Sequence, residues 1–233
     1  MTISNISVSI IMSVYNGESS LKSAIESVLY QSLTDFEFLI IDDNSEDNSF
    51  DIMSSYADKD PRVKVFRNNE NLGLTKSLNS LILESKGKYI ARQDADDTSF
   101  RDRLKVQYIF LESNNYIACS TRALIQNKKR KIPRMSNYLP ISLVASFKNP
   151  IIHGTLMIEK KSLNLLGNYN ENFYYAQDYK LIDTLLKAGM KLKRLNSTLY
   201  VLNMENNIST NFKEEQDYFA NCVRKNIIPS FKT

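Results

Sequence analysis

An α/β fold with a central, mostly parallel sheet flanked by helices is what this sequence predicts, and three observations predict it. Short apolar runs alternate with longer stretches whose apolar residues recur at helical spacing. Each run ends at a cluster of Asn, Asp, Gly or Ser that can turn the chain. Joined by right-handed crossovers, such strand-helix units lie side by side in one parallel sheet. With 233 residues the chain is long enough for a sizeable core, and a single domain over residues 1–233 is expected.

The elements follow in order. Val8 to Val14 reads as a buried strand that turns at Tyr15-Asn16-Gly17. Ser19 or Ser20 can cap the next helix, in which Leu21, Ala24, Ile25, Val28 and Leu29 share a face. Residues 36–41 form a second strand, stopped by Asp42-Asp43-Asn44-Ser45, where either carboxylate could cap the helix that follows. A third strand is expected over residues 62–66, a third helix over 74–83 ended by Gly87, and a fourth strand over 89–91. Beyond it, residues 100–113 look helical, 127–131 form a polar loop with four positive charges, and 142–147 make a short helix. Residues 156–158 read as a strand, and 178–188 as an amphipathic helix closed by Gly189. From Lys191 onward the pattern gives one more strand, a polar stretch over 203–211 and a terminal helix.

Composition excludes several classes. Hydrophobic residues are 42% and charged residues 24%, which is neither disordered nor membrane-spanning, and no apolar run is long enough for a membrane helix. A net charge of +4 is too mild for a dedicated nucleic-acid binder. Cys119 and Cys222 are far apart without metal-type spacing, so both are expected reduced and buried, in a cytoplasmic protein. The basic run at 127–131 reads as solvated or, alternatively, as a contact for an anionic membrane surface.

The chemistry concentrates at the strand ends. Asp94, Asp96 and Asp97 crowd the carboxyl end of the fourth strand, and like charges this close need a cation among them. Hard carboxylate oxygens suit Mg²⁺ or Mn²⁺. In a parallel sheet, ligands collect at that edge, which also carries Tyr15-Asn16-Gly17 and Asp42 to Ser45. No glycine-rich dinucleotide fingerprint follows the first strand and no phosphate-loop Lys-Ser or Lys-Thr motif occurs, so metal ions are expected to hold any diphosphate.

Together, Ser13-Val14-Tyr15-Asn16-Gly17, Ile41 to Ser45, Asn71-Leu72-Gly73-Leu74, Asp94 to Asp97, Arg101 to Leu104 and Ala176-Gln177-Asp178-Tyr179 resemble the inverting family-2 glycosyltransferases of the GT-A fold that build bacterial surface polysaccharides. The resemblance covers residues 8–209. It implies that residues 8–125 form a nucleotide-binding half, 126–200 an acceptor and catalytic half, and 201–233 a tail. It implies a UDP-sugar donor, hexose or N-acetylhexosamine, with Mn²⁺ or Mg²⁺, and a glycan or lipid-linked saccharide acceptor, with peripheral contact at the inner face of the membrane left open. Val14 and Tyr15 would line the base pocket, and Asp43 would accept the uracil imide N–H. Asp94 would sit near the ribose, Asp96 would ligate the metal and Asp97 would share that duty. Asp178 stands where relatives carry a Glu-Asp pair and would be the general base. His153 would lie near the diphosphate or acceptor, Lys76 or Arg101 could reach phosphate, and Arg92 could offset the acidic charge.

One departure stands out: many relatives carry an arginine and a histidine where this chain has Leu202 and Met204, counted from Asn206-Asn207-Ile208-Ser209. That leaves a nucleotide-sugar binding module without transfer as one alternative. Another is a haloacid-dehalogenase-like phosphatase, since Asp94-Ala95-Asp96-Asp97-Thr98 fits its Asp-x-Asp-x-Thr motif, although that motif normally ends the first strand of its fold.

Overall fold

The computed structural model describes residues 6–128, 130–204 and 212–230. Strand β1 (Val8–Val14) pairs in parallel with β2 (Phe36–Asp42) on one side and β4 (Tyr89–Arg92) on the other, and β2 pairs in parallel with β3 (Val63–Arg67). These match the first four strands expected from the sequence. The sheet then changes character. β4 meets β8 (Met157–Glu159) antiparallel, β8 meets β6 (Ala118–Ile125) antiparallel, and β6 runs parallel to β9 (Leu192–Leu202), which pairs antiparallel with β5 (Thr98–Ser99). A further strand, β7 (Arg130–Ile132), folds back on β6. The expected strands at 156–158 and beyond Lys191 appear as β8 and β9.

β1 alternates between two cores because successive side chains leave opposite faces of the sheet. Val8, Ile10, Met12 and Val14 pack with α1 (Glu18–Leu29) through Leu21, Ala24, Ile25 and Val28, and with α4 (Arg103–Ser113) through Leu104 and Leu111. Ile11, with Leu39 and Ile41 of β2, faces α3 (Leu74–Glu84) and α7 (Gln177–Lys187), where Leu78, Leu81, Ile82, Leu181, Ile182 and Leu185 are buried. Among the described residues the remaining helices are α2 (Ser49–Ala57), α5 (Ile141–Ala145), α6 (Lys160–Leu165) and α8 (Lys213–Lys225). Among the described residues no helix is long and apolar enough to cross a membrane.

Several local expectations are corrected. Neither Ser19 nor Ser20 caps α1; Gly17 precedes it, and the Ser20 hydroxyl donates instead to Ala95 O at 3.0 Å. Neither Asp42 nor Asp43 caps α2, whose Ser49 N–H donates to Asp47 Oδ1. The stretch expected as a loop over 127–131 is structured at both ends: Gln126–Lys128 make a short 3-10 turn, and β7 from Arg130 closes a hairpin on β6. Gly87 lies beyond the end of α3 and serves a close approach, since a Cβ there would collide with Val8 and Ser9 of β1. Gly189 does close α7, at φ +72°. Neither cysteine forms a disulfide; both are buried, and burial pushes the Cys119 thiol up to about 12.

Candidate active site

The carboxyl ends of β1, β2 and β4 share one edge of the sheet, and the loops leaving them are stitched together. Asp43 N–H donates to Val14 O at 2.7 Å and Asn16 N–H to Ser45 Oγ at 2.9 Å, while Glu46 N–H reaches Asn16 Oδ1 at 2.9 Å. Asn16 takes a left-handed φ of +51°, which asparagine tolerates better than most residues. The turn leaves Tyr15 half-exposed at the rim, whereas Val14 is buried in the core and offers a ligand little side-chain surface.

Asp43 is buried and heavily engaged. Its Oδ1 accepts from Asn68 Nδ2, Leu72 N–H and Ser77 Oγ, and its Oδ2 accepts from Gly73 N–H at 2.9 Å. The carboxylate therefore organises the loop leading into α3, and Oδ2 is the oxygen with capacity for another donor. Gly73 is needed there: its φ is +82°, and a Cβ would meet the Tyr174 ring at 2.7 Å.

The acidic loop after β4 is braced from beneath. Gln93, fully buried, donates from Nε2 to Asp94 O and Asp97 O at 3.0 and 2.9 Å, and its Oε1 accepts from Ser99 Oγ and Arg103 Nη1. Arg103 also donates to Ser99 Oγ and Gly154 O, both at 2.9 Å, and to Arg92 O. The Tyr200 hydroxyl accepts from Asp94 N–H at 3.1 Å, and the Arg103 guanidinium stacks 5.2 Å from its ring centroid. Arg103 entered the sequence reading only as a motif residue, and Gln93, Tyr200 and Tyr169 were missed. Each is far in sequence from some of its partners, so nothing local signals the network.

The charges are matched only in part. Arg92, buried, pairs with Asp94 Oδ1, as the sequence anticipated. Asp97, also buried, accepts from Asn203 N–H at 2.7 Å, yet burial and the charges of Asp94 and Asp96 push its carboxyl far above the usual carboxylate range. Asp96 is raised to about 6 by desolvation and by Asp94; because it is solvent-exposed, the like charge is the sturdier part of that rise. Among the described residues no three His, Cys, Asp or Glu side chains are placed to hold a metal by themselves. The donors fit a different mode, in which Mg²⁺ or Mn²⁺ binds one or two carboxylates and takes its remaining ligands from water and substrate phosphates.

Across from this loop lies Asp178, in the first turn of α7. Its Oδ1 accepts Tyr179 N–H at 2.8 Å and its Oδ2 is held by Asn149 Nδ2. Burial raises its carboxyl, and the Asp94 charge adds to the rise. His153 Nε2 lies 2.8 Å from the Tyr169 hydroxyl, and the ring is held neutral because burial and the Arg92 charge depress its pKa. The adjoining Gly154 sits against the acidic loop, where a Cβ would collide with Asp94 Oδ2 and the Tyr200 hydroxyl. Asp94, Asp96, Asp97, His153 and Asp178 thus belong to one neighbourhood. His153, expected near the diphosphate or acceptor, is neutral and turned to Tyr169. Lys76 stands exposed in the first turn of α3, and Arg101 lies over the Tyr30 ring, 5.2 Å from its centroid, not over the acidic loop. Leu202 packs with Ala123 and Tyr200, and Met204 follows the Asn203 that holds Asp97. Residues 206–209, used to set that register, lie outside the described residues.

Comparison with known proteins gives the family and the fold. A family model described as Glycosyl transferase family 2 matches residues 9–180. EpsE of Bacillus subtilis (strain 168) is 36% identical over 198 residues, which span 83% of this chain and 71% of that protein. Among solved structures, S. aureus TarS 1-349 in complex with UDP-GlcNAc superposes with a TM-score of 0.74 at 20% identity, covering 86% of this chain and 59% of that one. The mannosyltransferase PcManGT from Pyrobaculum calidifontis, in complex with GDP-Man and Mn²⁺, gives 0.77 at 18%, covering 97% and 66%. At such identities these two likenesses concern the fold alone.

Proposed function

The chain belongs to glycosyl transferase family 2, and from that premise we propose that it transfers a hexose or N-acetylhexosamine from a UDP-sugar to a glycan acceptor, with inversion at the anomeric carbon. Its fold is the GT-A nucleotide-sugar transferase fold, and the membership sets aside the phosphatase alternative. The observation that carries the proposal is that Asp178 lies in one neighbourhood with the Asp94 to Asp97 loop, where burial and the Asp94 charge raise its proton affinity. A carboxyl with a raised pKa is a stronger base, which suits removal of a proton from a sugar hydroxyl.

In this reading residues 8–125 hold the donor, 126–200 serve the acceptor, and the acceptor is a lipid-linked saccharide of surface polysaccharide synthesis. Tyr15 lies along the base, Asp43 Oδ2 accepts an imide N–H, and Asp94 faces the ribose. Asp96 and Asp97 would hold Mn²⁺ or Mg²⁺, which when bound neutralises charge on the diphosphate leaving group. Asp178 takes the acceptor hydroxyl proton as that oxygen bonds to the anomeric carbon and the bond to diphosphate breaks on the opposite face. Asn149 orients Asp178 through its side-chain amide. Binding without transfer is the second reading, favoured by Leu202, whose packed aliphatic side chain can supply no charge to a leaving group.

A thermal-shift screen of UDP, GDP, CDP and dTDP sugars with and without Mn²⁺ tests the proposal, because a ligand that binds the native state stabilises it. A metal-dependent rise with UDP-sugars is expected. No metal-dependent rise with any nucleotide would sink it.

A further inference from the structure

The positive charge of this chain is segregated. Residues 113–158 hold seven Lys and Arg and no Asp or Glu, so the other residues, with 23 basic and 26 acidic side chains, carry a net −3 against an overall +4. The structure gathers part of that charge. Arg122 of β6, Arg130 and Lys131 of β7, and Arg134 line an open hollow of about 580 Å³ together with Met135 and Tyr138. No carboxylate is among these lining residues. Met135 is 84% exposed and Tyr138 75% exposed, with Leu139, Leu143 and Phe147 also exposed just beyond.

We infer that this face docks on an anionic phospholipid bilayer. Cations clustered on one face are attracted to a negative surface, and large apolar side chains held in water beside them gain free energy by entering the headgroup boundary. The apolar members favour a bilayer over a soluble polyanion, which has no hydrocarbon to cover Met135 or Tyr138. Tyrosine suits that boundary, with an apolar ring and a polar tip. The position is apt as well. Ile125, at the end of β6 where the hairpin begins, stands opposite Leu202 of β9, and the next residue, Asn203, donates its N–H to Asp97. Docking there brings the membrane surface beside the acidic loop, where a lipid-borne acceptor would have to arrive; only that last point rests on the transfer reading.

The test is sedimentation of the full chain with phosphatidylcholine vesicles and with vesicles containing phosphatidylglycerol, at low and high salt. Partition onto the phosphatidylglycerol vesicles alone, weakened by salt, is expected. Arg130→Gln, Lys131→Gln and Arg134→Gln together should lower it by about a hundredfold. Met135→Ser with Tyr138→Ser should lower it less and leave a residue that salt abolishes. No preference for phosphatidylglycerol, or unchanged partition of the triple variant, overturns the inference. So does binding of soluble polyglycerol phosphate that displaces the vesicles while the Met135→Ser, Tyr138→Ser variant partitions normally, which would make the hollow a polyanion groove. Thermal midpoints of the variants should match the parent, since all five side chains lie at the surface or its rim. A chain that partitions as expected yet shows no nucleotide-dependent shift overturns the transfer reading and supports this one.

Discussion

Replacing Arg103 with Met keeps the side chain's length and removes its charge and its donors. In the folded chain the guanidinium is fully buried and donates to Gln93 Oε1 at 3.2 Å, to Ser99 Oγ and Gly154 O at 2.9 Å, and to Arg92 O. Hydrogen bonds from a charged donor contribute about 1.5–3 kcal/mol each, so four set a ceiling of about 6–12 kcal/mol. Burial offsets part of that, as the pKa lowered to about 10 records: a drop of this size corresponds to about 3 kcal/mol against the charged form. Water entering the space of the lost guanidinium satisfies some of the stranded acceptors. A net loss of about 3–5 kcal/mol is expected, the usual cost of breaking a buried charged network. For a chain of this length that lowers the melting midpoint by about 6–20 °C. Scanning calorimetry of Arg103→Met and Arg103→Lys measures it, and lysine, with three donors and no planar fork, should fall in between. A midpoint for Arg103→Met within a degree or two of the parent would refute the idea that this network carries the acidic loop.

Asp178→Asn should abolish transfer while leaving the thermal shift with UDP-sugar and Mn²⁺ intact, and in the parent enzyme kcat/KM should fall as pH drops through the raised pKa of Asp178, because only the ionised carboxylate accepts a proton. Gly154→Ala should destabilise the chain by about 1–3 kcal/mol, since its methyl group would collide with Asp94 and Tyr200, and denaturant titration reads this directly. Without metal, stability should decline as pH rises from the ordinary 3.8 of Asp96 to its folded value of about 6: the native state holds a proton there that the unfolded state has released, and raising pH therefore favours unfolding. Mn²⁺ should reverse that trend in melting experiments, because the metal binds the ionised form and its affinity rises over the same window.

β1, β2 and β4 were legible because each is a largely apolar run stopped by turn residues, the pattern of a strand buried on both faces, and β3, at the sheet's edge, shows the half-buried alternation of Val63, Lys64 and Val65. β6 was not read as a strand: Ala118 to Ile125 mixes Cys, Ser, Thr and Arg with small apolar residues, and its place follows from pairing with β8 and β9, both far along the chain. β5, two residues long, exists only because β9 lies beside it. The acidic loop announced itself by three carboxylates in four positions. Its supports did not, because Gln93, Arg103 and Tyr200 are ordinary residues until folding brings them together.

The sequence by itself determined the strand-helix order, the edge at which chemistry would collect and the residues of the acidic cluster, since these rest on periodicity, turn chemistry and charge repulsion between near neighbours. Only the tertiary structure decided which charges are paired. It held His153 neutral against Tyr169, engaged Asp43 Oδ1 with Asn68, Leu72 and Ser77, and sent Arg101 to Tyr30. Partners in a hydrogen-bond network are chosen by proximity, and proximity between residues as far apart in sequence as Tyr30 and Arg101 or Asp94 and Tyr200 is a property of the packed chain.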